Sequence, residues 1–397
     1  MIMEPKNWNV YLFRDILERV EVPVNVESNK EYVQIGIRSH GKGLFYKEPV
    51  LGKALGNKQV FWIQPNCFIL NVVFAWEQAI TKTTENELGM IGSHRFPMYR
   101  PKNDLVDIDY LFYYFLTKRG TDILEAASPG GAGRNRTLGQ ERFLKSKITL
   151  PPLPEQQKIA TILSTQDKVI ELKEKLLAQK QQQKKYLMQQ LLTGKKRLPG
   201  FDRKWNYVKA NEIFKSIVDK SHGGKLEVLS STQDKGIVPR SQVDIDIKYD
   251  ENSLSTYKKV CEGDFVISLR SFQGGIEYSN YAGIVSPAYT VLRAIVKIDA
   301  GYYKQFFKSS NYIKRLNVAV YGIRDGKQIS YDDFGQIKIP VPPIEEQREV
   351  AKILSTADHE IDLLQKSIEA EKQKKKALMQ LLLMGKARVE DEQRQDG

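Results

Sequence analysis

The chain has 397 residues, with 61 Lys and Arg against 48 Asp and Glu, a formal net charge of +13 at neutral pH and a pI near 9.3. This length allows two or three domains with real cores, the hydrophobic fraction of 41% excludes a disordered chain, and the charge favours a polyanionic partner, nucleic acid first. No apolar run reaches bilayer-spanning length, the N-terminus lacks a signal-peptide core, and Cys67 and Cys261 alone offer no disulfide framework, so no membrane association and a cytoplasmic location are expected.

In chain order, residues 1–149 open on Lys6-Asn7-Trp8-Asn9 and Asp15-Ile16. Strand-like stretches bounded by glycine follow: Tyr32-Val33-Gln34-Ile35, Gly43-Leu44-Phe45, Phe68-Ile69-Leu70 and Gly89-Met90-Ile91. An aromatic, helix-like run covers Tyr110 to Leu116. The segment closes on a loop rich in glycine and arginine, then Phe143 and a short strand. Short alternating strands with a helix or two predict a mixed, β-rich α/β domain.

Residues 150–197 form a different kind of segment. Pro151-Pro152 cannot continue a strand. Pro154 and Glu155 suit the first turn of a helix, where a missing N–H costs nothing and a carboxylate faces the positive dipole end. No glycine or proline interrupts until Gly194, a fitting stop. A heptad seam runs through Ile159, Leu163, Gln166, Ile170, Lys173, Leu177, Lys180, Lys184, Leu187 and Leu191. A run of about 34 residues spans about 50 Å.

Residues 198–340 repeat the first segment faintly, and residues 341–388 repeat the helix strongly. Arg203-Lys204-Trp205-Asn206 answers the opening run and Glu212-Ile213 answers Asp15-Ile16. Glu227-Val228-Leu229-Ser230, Gly236-Ile237-Val238, Phe265-Val266-Ile267 and Gly283-Ile284-Val285 answer the strands, and Tyr302 to Phe307 answers the aromatic run. The second helix lies 191 residues after the first, Leu150 matching Val341 and Gly194 matching Gly385, with about half of the aligned positions identical. Its seam is Val350, Leu354, Ala357, Ile361, Leu364, Ile368, Glu371, Lys375, Leu378 and Leu382. The order is variable domain, long helix, variable domain, long helix, ending in a polar tail at 389–397. The two helices are expected to pack on each other.

Catalytic signatures are missing. His40, His94, His222 and His359 have no partner at metal-ligand spacing, and neither cysteine belongs to a Cys-x-x-Cys pair. The run from Gly322 to Gln328 has the wrong spacing for a phosphate loop and lacks its Ser/Thr. Asp332-Asp333 reads as a helix or turn cap. No cofactor or metal is expected to bind this chain.

Twin double-proline helices alternating with two divergent domains resemble the specificity (S) subunit of type I restriction–modification enzymes. The resemblance spans essentially the whole chain. Leu150–Gln156 with Gly194-Lys195 and Val341–Gln347 with Gly385-Lys386 carry it most specifically. Gly263 to Ser268 and Ile284 to Tyr289 add to it, whereas Asn66-Cys67 and Gly92 to Arg95 depart from the pattern. The resemblance implies a non-catalytic subunit with one target-recognition domain at 1–149 and another at 198–340, each reading half of a split double-stranded DNA site. The helices at 150–197 and 341–388 would pair as an antiparallel coiled coil within a pseudo-two-fold internal repeat, space the two domains and dock two methyltransferase (M) subunits. Motor-nuclease (R) subunits would join for restriction. S-adenosylmethionine belongs to the M subunit, and ATP and Mg²⁺ to the R subunit. Two alternatives are a self-sufficient restriction or methylation protein of type II character and a non-catalytic coiled-coil adaptor.

Three loops per domain hold the residue types used on phosphates and base edges. In the first domain these are Arg38, Ser39, His40 and Lys42; Trp76 and Gln78; and Arg134, Asn135 and Arg136. In the second they are Ser231, Thr232, Gln233 and Lys235; Arg270, Ser271 and Gln273; and Tyr321, Arg324, Lys327 and Gln328. The apolar seam residues Ile159, Leu163, Ile170, Leu177, Leu187, Leu191, Val350, Leu354, Ile361, Leu364, Ile368, Leu378 and Leu382 are the candidates for helix pairing.

Overall fold

The computed structural model describes residues 7–56, 58–130, 136–223, 225–243, 251–319 and 329–389. The chain divides into two compact units, residues 1–173 with 367–397 and residues 174–366. Each unit holds one α/β domain and parts of both long helices.

In the first unit, Asn9–Leu12 pairs antiparallel with Lys147–Leu150, so the two ends of the domain are joined just before the double proline. A four-stranded antiparallel sheet runs in the order Leu17–Val20, Met98–Pro101, Phe68–Leu70, Ile80–Lys82. Phe68–Leu70 is buried on both faces, which its uninterrupted apolar sequence suits. The expected strand Tyr32–Ile35 divides into Glu31–Tyr32 and Ile35–Ile37, which pair with Val50–Leu51 and Leu44–Tyr46. The aromatic run forms the helix Ile108–Phe115, whose N-cap Asp107 accepts a hydrogen bond from Tyr110 N at 2.8 Å.

The second unit repeats this plan. Asn206–Lys209 pairs with Lys338–Val341, and the larger sheet runs Phe214–Ile217, Thr290–Ala294, Phe265–Ile267, Glu277–Tyr278. Asp299 caps the helix Ala300–Phe307. Ser330 caps Tyr331–Gln336 with Asp333 closing the box, the capping role expected for the Asp332-Asp333 pair. Asn66, at φ 52°, takes the left-handed place that Gly263 holds at φ 93°, so the departure at Asn66-Cys67 changes the residue and keeps the turn.

Both cores are aromatic. Phe68 packs on Phe115 at 5.0 Å between ring centroids, and Phe143 lies 5.8 Å from Phe115. Phe265, Phe307 and Phe334 repeat the cluster at 5.3 and 6.1 Å. Each core takes in a long-helix start, Ile159 and Leu163 or Val350 and Leu354, and the end of the other long helix, Leu382 and Leu383 or Leu191 and Leu192.

The long helices are Leu153–Leu191 and Ile344–Leu382, 39 residues each and longer than the sequence suggests. Gly194 and Gly385 follow at φ 68° and 65°, a conformation that costs glycine nothing. Within each unit the helix segments lie side by side. In the first, Asp167 meets Lys375 at 2.5 Å and Lys173 meets Glu371 and Ser367 at 2.7 and 2.8 Å. In the second, Lys180 meets Glu360 at 2.7 Å and Lys184 meets Asp358. Residue numbers rise on one helix as they fall on the other. Among the described residues, no helix is long and apolar enough to cross a membrane.

Candidate nucleic-acid interface

Those parts of the candidate stretches that lie among the described residues gather in one place within each domain. In the first domain, His40 N donates to Glu77 O at 2.8 Å, Gly41 N to Gln78 O at 2.9 Å, and the Ser39 hydroxyl to Glu77 Oε2 at 3.1 Å. Arg136 lies over the Trp76 ring at 5.4 Å. Residues 38–42, 76–78 and 136 therefore share one surface. Arg38, His40 and Lys42 are exposed there, with the Arg38 guanidinium 5.1 Å from the Phe45 ring centroid. Arg134 and Asn135 lie outside the described residues.

Beside this surface opens a cleft of about 440 Å³ lined by Phe45, Lys47, Asn71, Phe74, Glu77 and Phe96. Sequence reasoning missed Phe45, Phe74 and Phe96 because the three rings lie in separate stretches. The exposure of Phe74 (37%) is visible only after folding.

In the second domain, residues 231–235 and 270–274 meet. The main-chain oxygens of Gln233 and Gly274 accept from one ammonium, that of Lys308, at 3.1 and 3.0 Å. Gln233, Lys235, Arg270 and Gln273 are exposed. Tyr321, Arg324, Lys327 and Gln328 lie outside the described residues.

Several candidate side chains turn polar groups to the protein instead, Trp76 among them, whose Nε1 donates to Val73 O at 3.1 Å. Ser271 is 1% exposed and its hydroxyl accepts from Ser268 N at 2.8 Å. Thr232 Oγ1 donates to Gly236 O at 2.9 Å and accepts from Lys235 N. Gln78 donates to Thr121 Oγ1 at 2.7 Å and Phe115 O at 3.3 Å. Their residue types were suited to DNA, but nearer protein partners take their hydrogen-bonding groups.

The acidic residue and glutamine of each helix start form a joint. Glu155 is 8% exposed and takes Arg388 through both nitrogens at 2.8 Å; Glu346, 1% exposed, takes Arg197 at 2.7 Å twice. Gln156 accepts from Asp107 N at 3.0 Å and donates to Pro151 O at 2.8 Å, while Gln347 accepts from Asp299 N at 2.9 Å and donates to Pro342 O at 2.8 Å. Each glutamine thus locks a helix start to the N-cap of an aromatic helix. Arg197 rises above its ordinary pKa, first through the hydrogen bond to Glu346.

Of the pairing candidates, Ile159, Leu163, Ile170, Leu191, Val350, Leu354, Ile368 and Leu382 are buried, and Leu177, Leu187, Ile361, Leu364 and Leu378 are half-buried. The polar seam positions carry hydrogen bonds and ion pairs: the Gln166 amide donates to Glu371, Lys173 pairs with Glu371, and Lys375 pairs with Asp167. Among the described residues, no group of three or more His, Cys, Asp or Glu is placed to hold a metal ion.

The family model for the type I restriction modification DNA specificity domain matches residues 27–181 and again residues 202–372. The chain belongs to that family. Its function is accordingly DNA recognition as a non-catalytic specificity subunit, ahead of the self-sufficient enzyme and the adaptor. The putative type I restriction enzyme MjaX specificity subunit of Methanocaldococcus jannaschii is 26% identical over 97% of this chain and 95% of its own length. The MjaVIII specificity subunit of the same organism is also 26% identical, over 98% and 94%. The crystal structure of the HsdS subunit from Thermoanaerobacter tengcongensis shares the fold, with a TM-score of 0.54 at 21% identity over 97% of this chain and 98% of that one.

Proposed function

We propose that residues 1–149 read one half of a split double-stranded DNA site and residues 198–340 the other, with residues 150–197 and 341–388 pairing as an antiparallel coiled coil about a pseudo-two-fold axis. One observation carries this reading: the same contacts recur in each unit at one constant spacing. Glu155 with Arg388 becomes Glu346 with Arg197, and Asp167 with Lys375 becomes Asp358 with Lys184. Two-fold geometry suits half-sites on opposite strands, about 34 Å apart per helical turn. A 39-residue helix is about 58 Å long, enough to act as that spacer.

The helix pair would dock two M subunits, to which R subunits add. Leu172 and Leu363, at equivalent positions, are 55% and 52% exposed, and such apolar surface on a helix favours a protein partner. S-adenosylmethionine would reside in the M subunit, ATP and Mg²⁺ in the R subunit, and none of them in this chain. A cytoplasmic location fits the cysteine usage.

The test is domain exchange. Residues 1–149 are replaced by the first domain of another family member, and the methylome of a host expressing the chimera with its M subunit is sequenced. One half-site should change and the other stay. Change in both, or in neither, would refute one domain reading one half-site.

A further inference from the structure

In each recognition domain, two of the candidate DNA-facing stretches are fastened to the same corner, the turn between two short helices. In the second domain this turn joins Ala300–Phe307 to Ser310–Ala319. Lys308 stands on it and donates to Gln233 O at 3.1 Å, to Gly274 O at 3.0 Å and to the Glu277 carboxylate. An ammonium has three donors, and all three are used inside the protein. Lys308 is therefore spent on the fold rather than kept for a phosphate.

The packing leaves these stretches little freedom. A Cβ on Gly275 would lie 2.1 Å from the Phe307 carbonyl oxygen, and one on Gly274 would lie 3.0 Å from Gln233 Cγ. Glu277 is 2% exposed, and its other carboxylate oxygen has no hydrogen-bond partner among the described residues. A buried carboxylate needs its counter-charge, so the Lys308 ammonium cannot move without stranding it. The same ammonium fixes both stretches.

The first domain uses different chemistry at its own corner, between Ile108–Phe115 and Lys118–Ala126. Leu116 takes the place of Lys308, and a Cβ on Gly41 would lie 2.2 Å from Leu116 Cδ2. Gln78 ties its own stretch to Phe115 O and Thr121.

We propose that Lys308 is a specificity-determining positioning residue, holding residues 231–235 and 270–274 in the one arrangement that reads bases, without touching DNA. This rests on the assignment of residues 198–340 to one half-site. Bidentate base contacts tolerate displacements of only about 0.5 Å, so loosening this anchor should blur base choice.

The test uses the chain assembled with its M subunit, methylating a DNA library with every single-base change in either half-site. Lys308→Met should lose roughly tenfold in discrimination at the half-site of residues 198–340, the order of one base contact, and nothing at the other. Lys308→Arg should restore most of it. Should Lys308→Met fail to fold, the double variant Lys308→Leu with Glu277→Leu, which strands no charge, should show the same one-sided loss. Unchanged discrimination, an equal loss in both half-sites, or no rescue by Lys308→Arg would overturn the proposal. Exchanging residues 198–340 in parallel identifies their half-site. If that exchange alters both half-sites or neither, the domain assignment fails and takes the proposal with it. A clean exchange beside an indifferent Lys308→Met sinks the positioning role alone.

Discussion

Glu346 sits in the first turn of the second long helix, where any carboxylate would gain from the helix dipole. Its environment asks for more. It is 1% exposed, holds Arg197 through both guanidinium contacts and accepts from Trp205 Nε1 at 2.8 Å. Glu346→Ala strands the arginine and the indole N–H together. Breaking a buried pair costs about 3–5 kcal/mol. Since Arg197 keeps 24% of its side chain in solvent, a loss of about 3 kcal/mol is expected, seen as a lower urea midpoint at unchanged slope.

At the candidate nucleic-acid interface, exposure separates residues that sequence treats alike. Arg270 and Gln273 are exposed whereas Ser271 between them is buried. Arg270→Ala and Gln273→Ala should each cost roughly 1–3 kcal/mol on the cognate site and relax one half-site. Lys235→Ala should weaken cognate and random DNA alike and flatten the salt dependence, because a lysine at the surface acts on phosphate. Binding titrations at several salt concentrations distinguish these outcomes. Equal losses on both DNAs for Arg270→Ala would assign that stretch to the backbone.

Among the elements, the long helices are the clearest case of a pattern completed by its partners. Their seams begin apolar and turn polar, which taken alone would weaken a coiled coil. Glu371, Lys173 and Gln166 answer one another across the pair, with Lys173 to Glu371 at 2.7 Å. Lys173 and Gln166, hydrogen-bonded to the Glu371 carboxyl, hold it below the ordinary carboxylate range. A depressed pKa contributes stability that is present above the unfolded-state value and is lost as pH falls through the folded one. The thermal midpoint should therefore fall on acidification from about pH 6 to about pH 3, more steeply in the wild type than in Glu371→Gln. Equal slopes would dismiss this contribution. In the apolar stretches, Ile361→Asp with Ile368→Asp puts carboxylates at a half-buried and a buried position. A cost of several kcal/mol and loss of the M subunit on size exclusion are expected. An intact complex of unchanged stability would rule out this seam.

For the whole molecule, the sequence by itself determined the order of domain, helix, domain, helix. Those signals are local: proline and glycine punctuate, a heptad repeats, and a constant spacing of 191 residues separates the copies. It also carried the family through Leu150–Gln156 and Val341–Gln347. The physical task of those motifs was not legible. Gln156 reaches Asp107, and Arg388 reaches Glu155 from 233 positions away, and no local pattern encodes such a meeting. The joining of Asn9–Leu12 to Lys147–Leu150 is of the same kind. In the candidate interface, composition picked out stretches of which the described parts lie together in each domain, but the aim of individual side chains came from tertiary structure. Ser271 and Gln78 turned inward because a hydroxyl or amide pairs with whichever acceptor or donor the fold brings nearest. Lys308 escaped notice for the same reason. One lysine on a short helix turn means nothing until the fold sets Gln233, Gly274 and Glu277 around it.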